Sequence, residues 1–211
     1  HIALVFRVYR ERVKDLQKDE RFQYVMVFKN FGKAAGASLE HSHSQLIALP
    51  VLPRMIVSEL DGAASYYRYK DRCLFCDIIR QEVQQDIRVV CSNEHFVTIS
   101  PFAPRTPFEM WVLPKEHASG FCTQSDEMLL SLADIFSNTL KRLESCIPGV
   151  PYNYVLHTQP LRSGELEHFH WHFEIVPKLT SIAGFEWGSG FYINPMPPEE
   201  ATQYLRESLE K

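Results

Sequence analysis

The sequence predicts an α+β protein: an antiparallel sheet with packed helices, present as two copies of one unit, the first copy N-terminally incomplete. Three observations predict it. Strand-like runs flank one long helical stretch in the order strand, strand, long helix, strand, strand, which favours an antiparallel-rich sheet over alternating βαβ units. Two histidine clusters, His41-Ser-His43-Ser-Gln45 and His168-Phe-His170-Trp-His172, start 127 residues apart, and each leads through an apolar run to a proline at the same offset, Pro50 and Pro177. Cys73 lies 95 residues before His168, whereas only 40 residues precede His41. Like units would therefore leave roughly 55 residues of the first copy outside this chain. The expected division is residues 1–64 and 65–211.

Taken in order, Ile2 to about Lys18 has helical periodicity, with Leu4, Val5, Val8, Val13 and Leu16 able to share a face. Phe22 to Phe28 is rich in aromatic and β-branched residues and reads as a strand. A glycine-bearing loop from Asn30 to Ser38 leads into the first histidine strand, which Pro50 and Pro53 stop. A helix follows from about Arg54 to Lys70. Arg88–Cys91 and Phe96–Ser100 form a hairpin, and Phe108–Leu113 is a further strand ended by Pro114. Ser125 caps a long helix reaching about Cys146. Tyr152–His157 and His170–Val176 complete the strands. Pro198–Leu209 is a terminal helix, with proline early and acidic residues in its first turn.

Composition excludes several classes. With 45% apolar and 23% charged residues and a net charge of −4, no global basic field invites nucleic acid or an acidic membrane surface. No apolar run is long enough to cross a bilayer. Five cysteines without regular spacing argue against a secreted disulfide scaffold and for a reducing, cytoplasmic setting.

Period-two alternation puts His41, His43 and Gln45 on one strand face, and likewise His168, His170 and His172. Imidazole and amide at successive inward positions suit phosphate chemistry or metal binding better than an apolar core. His43 is the candidate nucleophile on an α-phosphorus, its second ring nitrogen free to bond a carbonyl that fixes the tautomer. Gln45 is placed to donate to a phosphate oxygen as charge develops. The bland alternative is a pair of solvent-facing histidines on an edge strand. Asn30, Gly36, Ala37 and Ser38 form a loop whose small residues let a phosphate approach main-chain N–H groups, although ordinary turns have the same composition.

Cys73-x-x-Cys76 has zinc-ligand spacing but no second pair, so His117 and one histidine of the second cluster are the natural partners, His168 first and His170 next. The alternatives are two half-buried cysteines or a redox pair, although the strand-before, helix-after context of a thioredoxin site is lacking. The three histidines of the second cluster read equally as a second catalytic centre, a metal cluster or a relic partly recruited to zinc. His157 and Glu59 are spare ligand candidates. Gly184-Phe185-Glu186, in a glycine-rich stretch after the second cluster, reads as a loop closing over a sugar phosphate or as a plain connection.

These residues resemble the galactose-1-phosphate uridylyltransferase family, within the histidine-triad superfamily. The likeness is carried by Val27 to Gln45, by Phe96 to His117 and by His168 to Pro177, and it runs through nearly the whole chain. The resemblance implies a duplicated histidine-triad-like fold and a ping-pong nucleotidyl transfer. His43 would attack the α-phosphate of a nucleoside diphosphate sugar, expel a sugar 1-phosphate and pass the nucleotidyl group to a second phosphorylated acceptor. It places Asn30, Gly36 to Leu39 and Gln45 at nucleotide-phosphate positions. Thr180 to Glu186, with Gly184 and Phe185, fall near sugar-phosphate positions often supplied by the other subunit of a homodimer. His41 corresponds to a zinc ligand of the first unit. Ser42 departs from the proline most often found between the two histidines. With Cys73, Cys76, His117 and His168, that departure is more similar to the two-zinc, plant-type branch, whose members can act as ADP-glucose phosphorylases with phosphate as acceptor. A CxxC of the first unit is not in this chain, which leaves His41 without its metal partners.

Overall fold

A computed structural model describes residues 1–39 and 41–209. Helix α1 (Ile2–Leu16) leads to strand β1 (Tyr24–Phe31), a 3-10 turn (Lys33–Ala35) and strand β2 (Gln45–Leu49). Helices α2 (Arg54–Lys70) and α3 (Leu74–Gln85) follow, then strands β3 (Val89–Ser92), β4 (Phe96–Ile99) and β5 (Met110–Pro114). The long helix α4 (Asp126–Cys146), strands β6 (Tyr152–His157) and β7 (His172–Pro177), and helices α5 (Gly184–Ser189) and α6 (Pro198–Glu207) complete the described chain. All seven strands form one antiparallel sheet in the order β2-β1-β6-β7-β5-β4-β3.

The two faces of this sheet differ in chemistry. On one face Val25, Val27, Phe96, Met110, Val112, Leu156, Phe173 and Ile175 meet Phe6, Tyr9 and Val13 of α1, Leu129, Leu132 and Phe136 of α4, and Leu205 of α6. Burying each of these large side chains contributes about 1.5–3 kcal/mol, so this face holds most of the core. On the other face Val97, Ile99 and Leu113 pack under Ala63 of α2 and Phe75 and Ile79 of α3. Toward β1 and β6 that second face turns polar. There Asn153, His157, His172 and Glu174 alternate with core residues of β6 and β7, as a period-two strand requires.

Several local devices set the boundaries. Ser125 Oγ accepts the Met128 N–H at 3.1 Å and starts α4, with Asp126 and Glu127 in its first turn. Gly32 adopts φ +81°, and a Cβ there would meet the Pro151 side chain at 2.9 Å, so this turn requires glycine on both conformation and space. Arg88, almost fully buried, ties α3 to α6 by pairing with Glu82 at 2.7 Å and Glu199 at 2.8 Å.

The structure corrects four expectations. His41 and His43 precede the first histidine strand rather than lie in it, because the β1–β2 ladder ends at the pair Phe28–Gln45. Likewise β7 starts at His172, paired with His157, while the Trp171 N–H leaves the sheet to bond Ala118 O at 2.9 Å. Helix α3 begins inside the CxxC with Cys73 at its N-cap, so the helix-after context judged absent there is present. The glycine-rich stretch holds a short exposed helix, α5, capped by Glu186 Oε2 accepting the Ala183 N–H at 3.0 Å.

Candidate active site and metal clusters

His43 sits two residues before its strand, half-buried, with its Nδ1–H donating to the His41 carbonyl at 3.1 Å. That bond leaves the proton on Nδ1 and the lone pair on Nε2, for which no partner is recorded among the described residues. The loop before it is built from β1. Asn153 of β6, directly opposite Asn30 in register, donates to Asn30 Oδ1 at 2.7 Å and to Ala35 O at 2.8 Å. Gly36, at φ +86°, lies within reach of the Asn30 amide at 3.5 Å. The turn folds back so that Asn30, Gly32, Ala37, Ser38, Leu39, His41 and Ser42 line one cavity of about 550 Å³. Gln45 follows on the same strand face as His43.

The structure therefore brings Asn30, Ala37, Ser38 and Leu39 together with His41 around one cavity, with Gly36 in the same turn, while His43 borders the neighbouring cavity that Ser42 shares. It does not bring Gly184, Phe185 and Glu186 to them: these open α5, and neither cavity that borders the histidine arm includes them. Asn153 escaped the sequence reading because its role depends on a register between strands 123 residues apart.

A second group forms where α3, the end of β5 and the segment before β7 meet. The ligand atoms of Cys73, Cys76, His117 and His170 all lie within 4.8 Å of one another. Cys76 Sγ is 3.5 Å from His117 Nδ1 and 3.6 Å from His170 Nδ1. A zinc tetrahedron with bonds of about 2.3 Å to sulfur and 2.0 Å to nitrogen has S···N edges of about 3.5 Å, so the spacing fits that ion. Both imidazoles are also oriented for it, since Nε2–H of His170 donates to Pro114 O at 2.9 Å and that of His117 to Leu166 O at 3.3 Å, leaving each Nδ1 lone pair inward. A hydrogen bond from Cys76, with His170 assisting, lowers the Cys73 thiol strongly, while the same bond and burial raise Cys76.

Here the order of candidates reverses. His168 turns its ring toward Tyr67 and contributes only its carbonyl, which accepts from Cys73 Sγ at 3.7 Å. The reason lies in a repeated local bond. His172 Nδ1 donates to His170 O at 3.1 Å, as His43 does to His41 O. The structural counterparts are thus His43 with His172 and His41 with His170, two residues out from the proline-based alignment. A slip of two preserves the strand face, so periodicity could not detect it. His41 itself belongs to neither cluster of ligand atoms found among the described residues.

The third group is Glu59, His157 and His172. Glu59 Oε2 lies 2.7 Å from His157 Nδ1, and Glu174 Oε2 lies 3.3 Å from its Nε2. The His157 and His172 rings stack at 4.7 Å. Burial opposes a charge on His157, yet Glu174 and Glu59 outweigh it and raise its pKa to about 10. Burial lowers His172 to about 4, so beside the His157 cation it stays neutral. Arg105 pairs with Glu174, and Glu109 completes a cavity of about 310 Å³ with Trp111 and Phe75. Three carboxylates face this cavity, but the His157 cation and Arg105 offset two of them, so the lining carries little net charge. Sequence reading missed Arg105, Glu109 and Glu174, which look like ordinary strand and loop charges until the sheet aligns them.

An antiparallel sheet with imidazole, amide and carboxylate groups on one face, and a tautomer-locked histidine just before an edge strand, defines a class. It is that of the galactose-1-phosphate uridylyltransferase-like proteins. The chain belongs to the family described as Domain of unknown function (DUF4921), whose model matches residues 2–211. It is 38% identical over 208 residues to an ADP-glucose phosphorylase of Arabidopsis thaliana, covering 98% of this chain and 58% of that protein. It is 31% identical over 215 residues to the galactose-1-phosphate uridylyltransferase of Thermotoga maritima, covering 98% of this chain and 67% of that protein. A crystal structure of an Arabidopsis thaliana ADP-glucose phosphorylase with bound ADP-glucose superposes with a TM-score of 0.91 at 36% identity, over 98% of this chain and 66% of that one. The chain thus spans about three-fifths of the length of the Arabidopsis relative.

Proposed function

We propose that the protein containing this chain is a nucleotidyltransferase that moves a nucleoside monophosphate from a nucleoside diphosphate sugar to a phosphorylated acceptor through a covalent nucleotidyl-His43. The observation that carries this reading is the Nδ1–H bond from His43 to the His41 carbonyl, which leaves Nε2 as the nucleophilic nitrogen. In the first half-reaction Nε2 forms a bond to the α-phosphorus as the bond from that phosphorus to the bridging oxygen breaks, and the sugar 1-phosphate departs. The ring then carries positive charge, which the His41 carbonyl dipole stabilises through the same hydrogen bond. In the second, an acceptor phosphate oxygen attacks the α-phosphorus and the N–P bond breaks. Gln45 and the main-chain N–H groups of Ser38 and Leu39 supply donors for the oxygens on which charge develops, whereas the Ala37 N–H closes the turn on Gly32 O at 3.2 Å.

The donor in this reading is UDP-glucose with a hexose 1-phosphate as acceptor. The alternative, favoured by the higher identity to the plant protein and by Ser42, is ADP-glucose with inorganic phosphate as acceptor. A structural zinc in the Cys73/Cys76/His117/His170 cluster and a homodimer complete the proposal, as does a division of the chain near residue 64. A second active centre at His170 finds no support, because its ring is buried with Nε2 given to Pro114 O and Nδ1 to the cysteines.

The test is a single-turnover incubation of the complete protein with α-³²P-labelled UDP-glucose or ADP-glucose. Acid-labile, base-stable label on wild type and none on His43→Ala is the expected result, and the donor that labels identifies the base. Failure of both donors to label the wild-type protein defeats the reading.

A further inference from the structure

The arm that carries His43 is held from behind by hydroxyl groups. Its ladder with β1 begins only at Gln45, so residues 41–44 project beyond the paired part of the strand. Packing does not fix them either. Ser42, His43 and Ser44 border a cavity of about 320 Å³, walled on the core side by Ile2, Val5 and Phe6 of α1 and by Phe136, Tyr152 and Tyr154. An arm with neither ladder nor close packing beneath it depends on discrete bonds for its position.

Those bonds come from the two serines, which alternate with the histidines and face the core side of the sheet. Ser44 Oγ accepts from Tyr9 Oη and lies 3.2 Å from Tyr154 Oη, while the two tyrosine oxygens are 2.7 Å apart. Three hydroxyls in a closed triangle satisfy one another, each donating once. Both rings are buried, Tyr9 in α1 and Tyr154 in β6, so the triangle is anchored in two separate elements of the core. On the other side of His43, Lys29 Nζ of β1 donates to Ser42 Oγ. Bonds on both neighbours of His43 leave its ring little freedom apart from rotation, which the His41 carbonyl removes.

We infer that Tyr9, Tyr154 and Lys29 are positioning residues for His43, acting through Ser44 and Ser42 to aim Nε2 at the α-phosphorus. The inference rests on His43 being the nucleophile. Displacement of a reacting atom by about 1 Å can cost up to about a hundredfold in rate, while the binding of a substrate held by the loop at Asn30 and Ser38 need not change. A purely structural role for the triangle would instead lower stability and the fraction of folded protein, leaving the rate constant of the folded fraction alone.

The experiment is pre-steady-state nucleotidylation in the complete protein, with burst amplitude read separately from burst rate constant. Ser44→Ala and Tyr154→Phe should each lower the rate constant about tenfold or more at saturating donor, with the donor concentration for half-saturation within twofold of wild type. Ser44→Thr, which keeps the hydroxyl, should restore the rate, and Ser44→Val, which matches threonine in shape, should not. Tyr154→Phe keeps the buried ring and guards against a folding defect in the serine variants. Rate constants within twofold of wild type for Ser44→Ala and Tyr154→Phe, or full rescue by Ser44→Val, would overturn the inference while leaving His43 as nucleophile. Absence of any burst in wild type removes the nucleophile and the inference with it.

Discussion

Glu109 shows how far one residue's chemistry depends on neighbours the sequence does not reveal. Its carboxylate accepts the Arg105 N–H at 2.8 Å and the Thr106 N–H at 3.3 Å, yet burial and the nearby Glu174 carboxylate raise its pKa to about 7. A group raised above its unfolded value stabilises the fold fully below that value and loses the contribution as pH rises through about 7. Thermal stability should therefore fall from about pH 4.5, the ordinary glutamate value, to about pH 7 and level off above it, and Glu109→Gln should flatten that fall. An unchanged slope in the variant, followed by calorimetry across the range, would assign the titration elsewhere. At this scale the candidate nucleophile was legible, since imidazole and amide at alternate positions signal chemistry whatever the fold. The partners of Ser42, Ser44 and Glu109 were not, because Lys29, Tyr9, Tyr154 and Glu174 reach them only after distant strands pair.

At the scale of elements, the residue pattern was a sound guide to where α1, α2, α4 and the strands from β3 to β6 lie, but it put the wrong face of α1 inward: Phe6, Tyr9 and Val13 are buried, while Leu4, Val5 and Val8 are exposed. It missed α3, where the buried set of Phe75, Ile79 and Glu82 follows a helical spacing within a segment read for its cysteines. That helix matters because it delivers Cys76 to the imidazoles of His117 and His170. Zinc analysis of the complete protein should find metal that Cys76→Ser and His170→Ala lose and His168→Ala keeps. Loss of the metal should lower the melting temperature by on the order of 10 °C. Retention of zinc by His170→Ala together with its loss in His168→Ala would restore the proline-based alignment and refute the geometric one. The two-residue slip between the histidine arms was invisible in sequence for a simple reason: both registers put the same residue types on the same face.

For the whole molecule, the exposed aromatic tract after β7 is the feature without an internal explanation. Trp187 is 79% exposed and Phe191 72%, with Phe185, Ile182 and Ile193 beside them. Apolar side chains gathered on one surface mark an interaction site more often than a free surface. A homodimer that covers this tract predicts that Trp187→Glu with Phe191→Glu shifts the complete protein from dimer to monomer in sedimentation velocity. A monomeric wild-type protein would refute it. The antiparallel α+β class followed from element order, but the single continuous sheet did not, since nothing in the sequence says that β1 joins β6.

That junction has a consequence in time. In the strand order β2-β1-β6-β7-β5-β4-β3, the β1–β6 seam alone joins the first two strands to the other five. It pairs residues such as Asn30 and Asn153, which are 123 positions apart. Pairings of such sequence separation form late, because the chain must surrender loop entropy before they return anything. The hairpins β3–β4, β4–β5 and β6–β7 lie on the near side of the seam and pair at short sequence separation, so they can assemble first. The Asn30–Asn153 bond crosses it, and the Tyr9–Tyr154 contact, which ties α1 to β6, spans 145 positions. A folding chain would thus pair these hairpins early and seat the arm that carries His43 late.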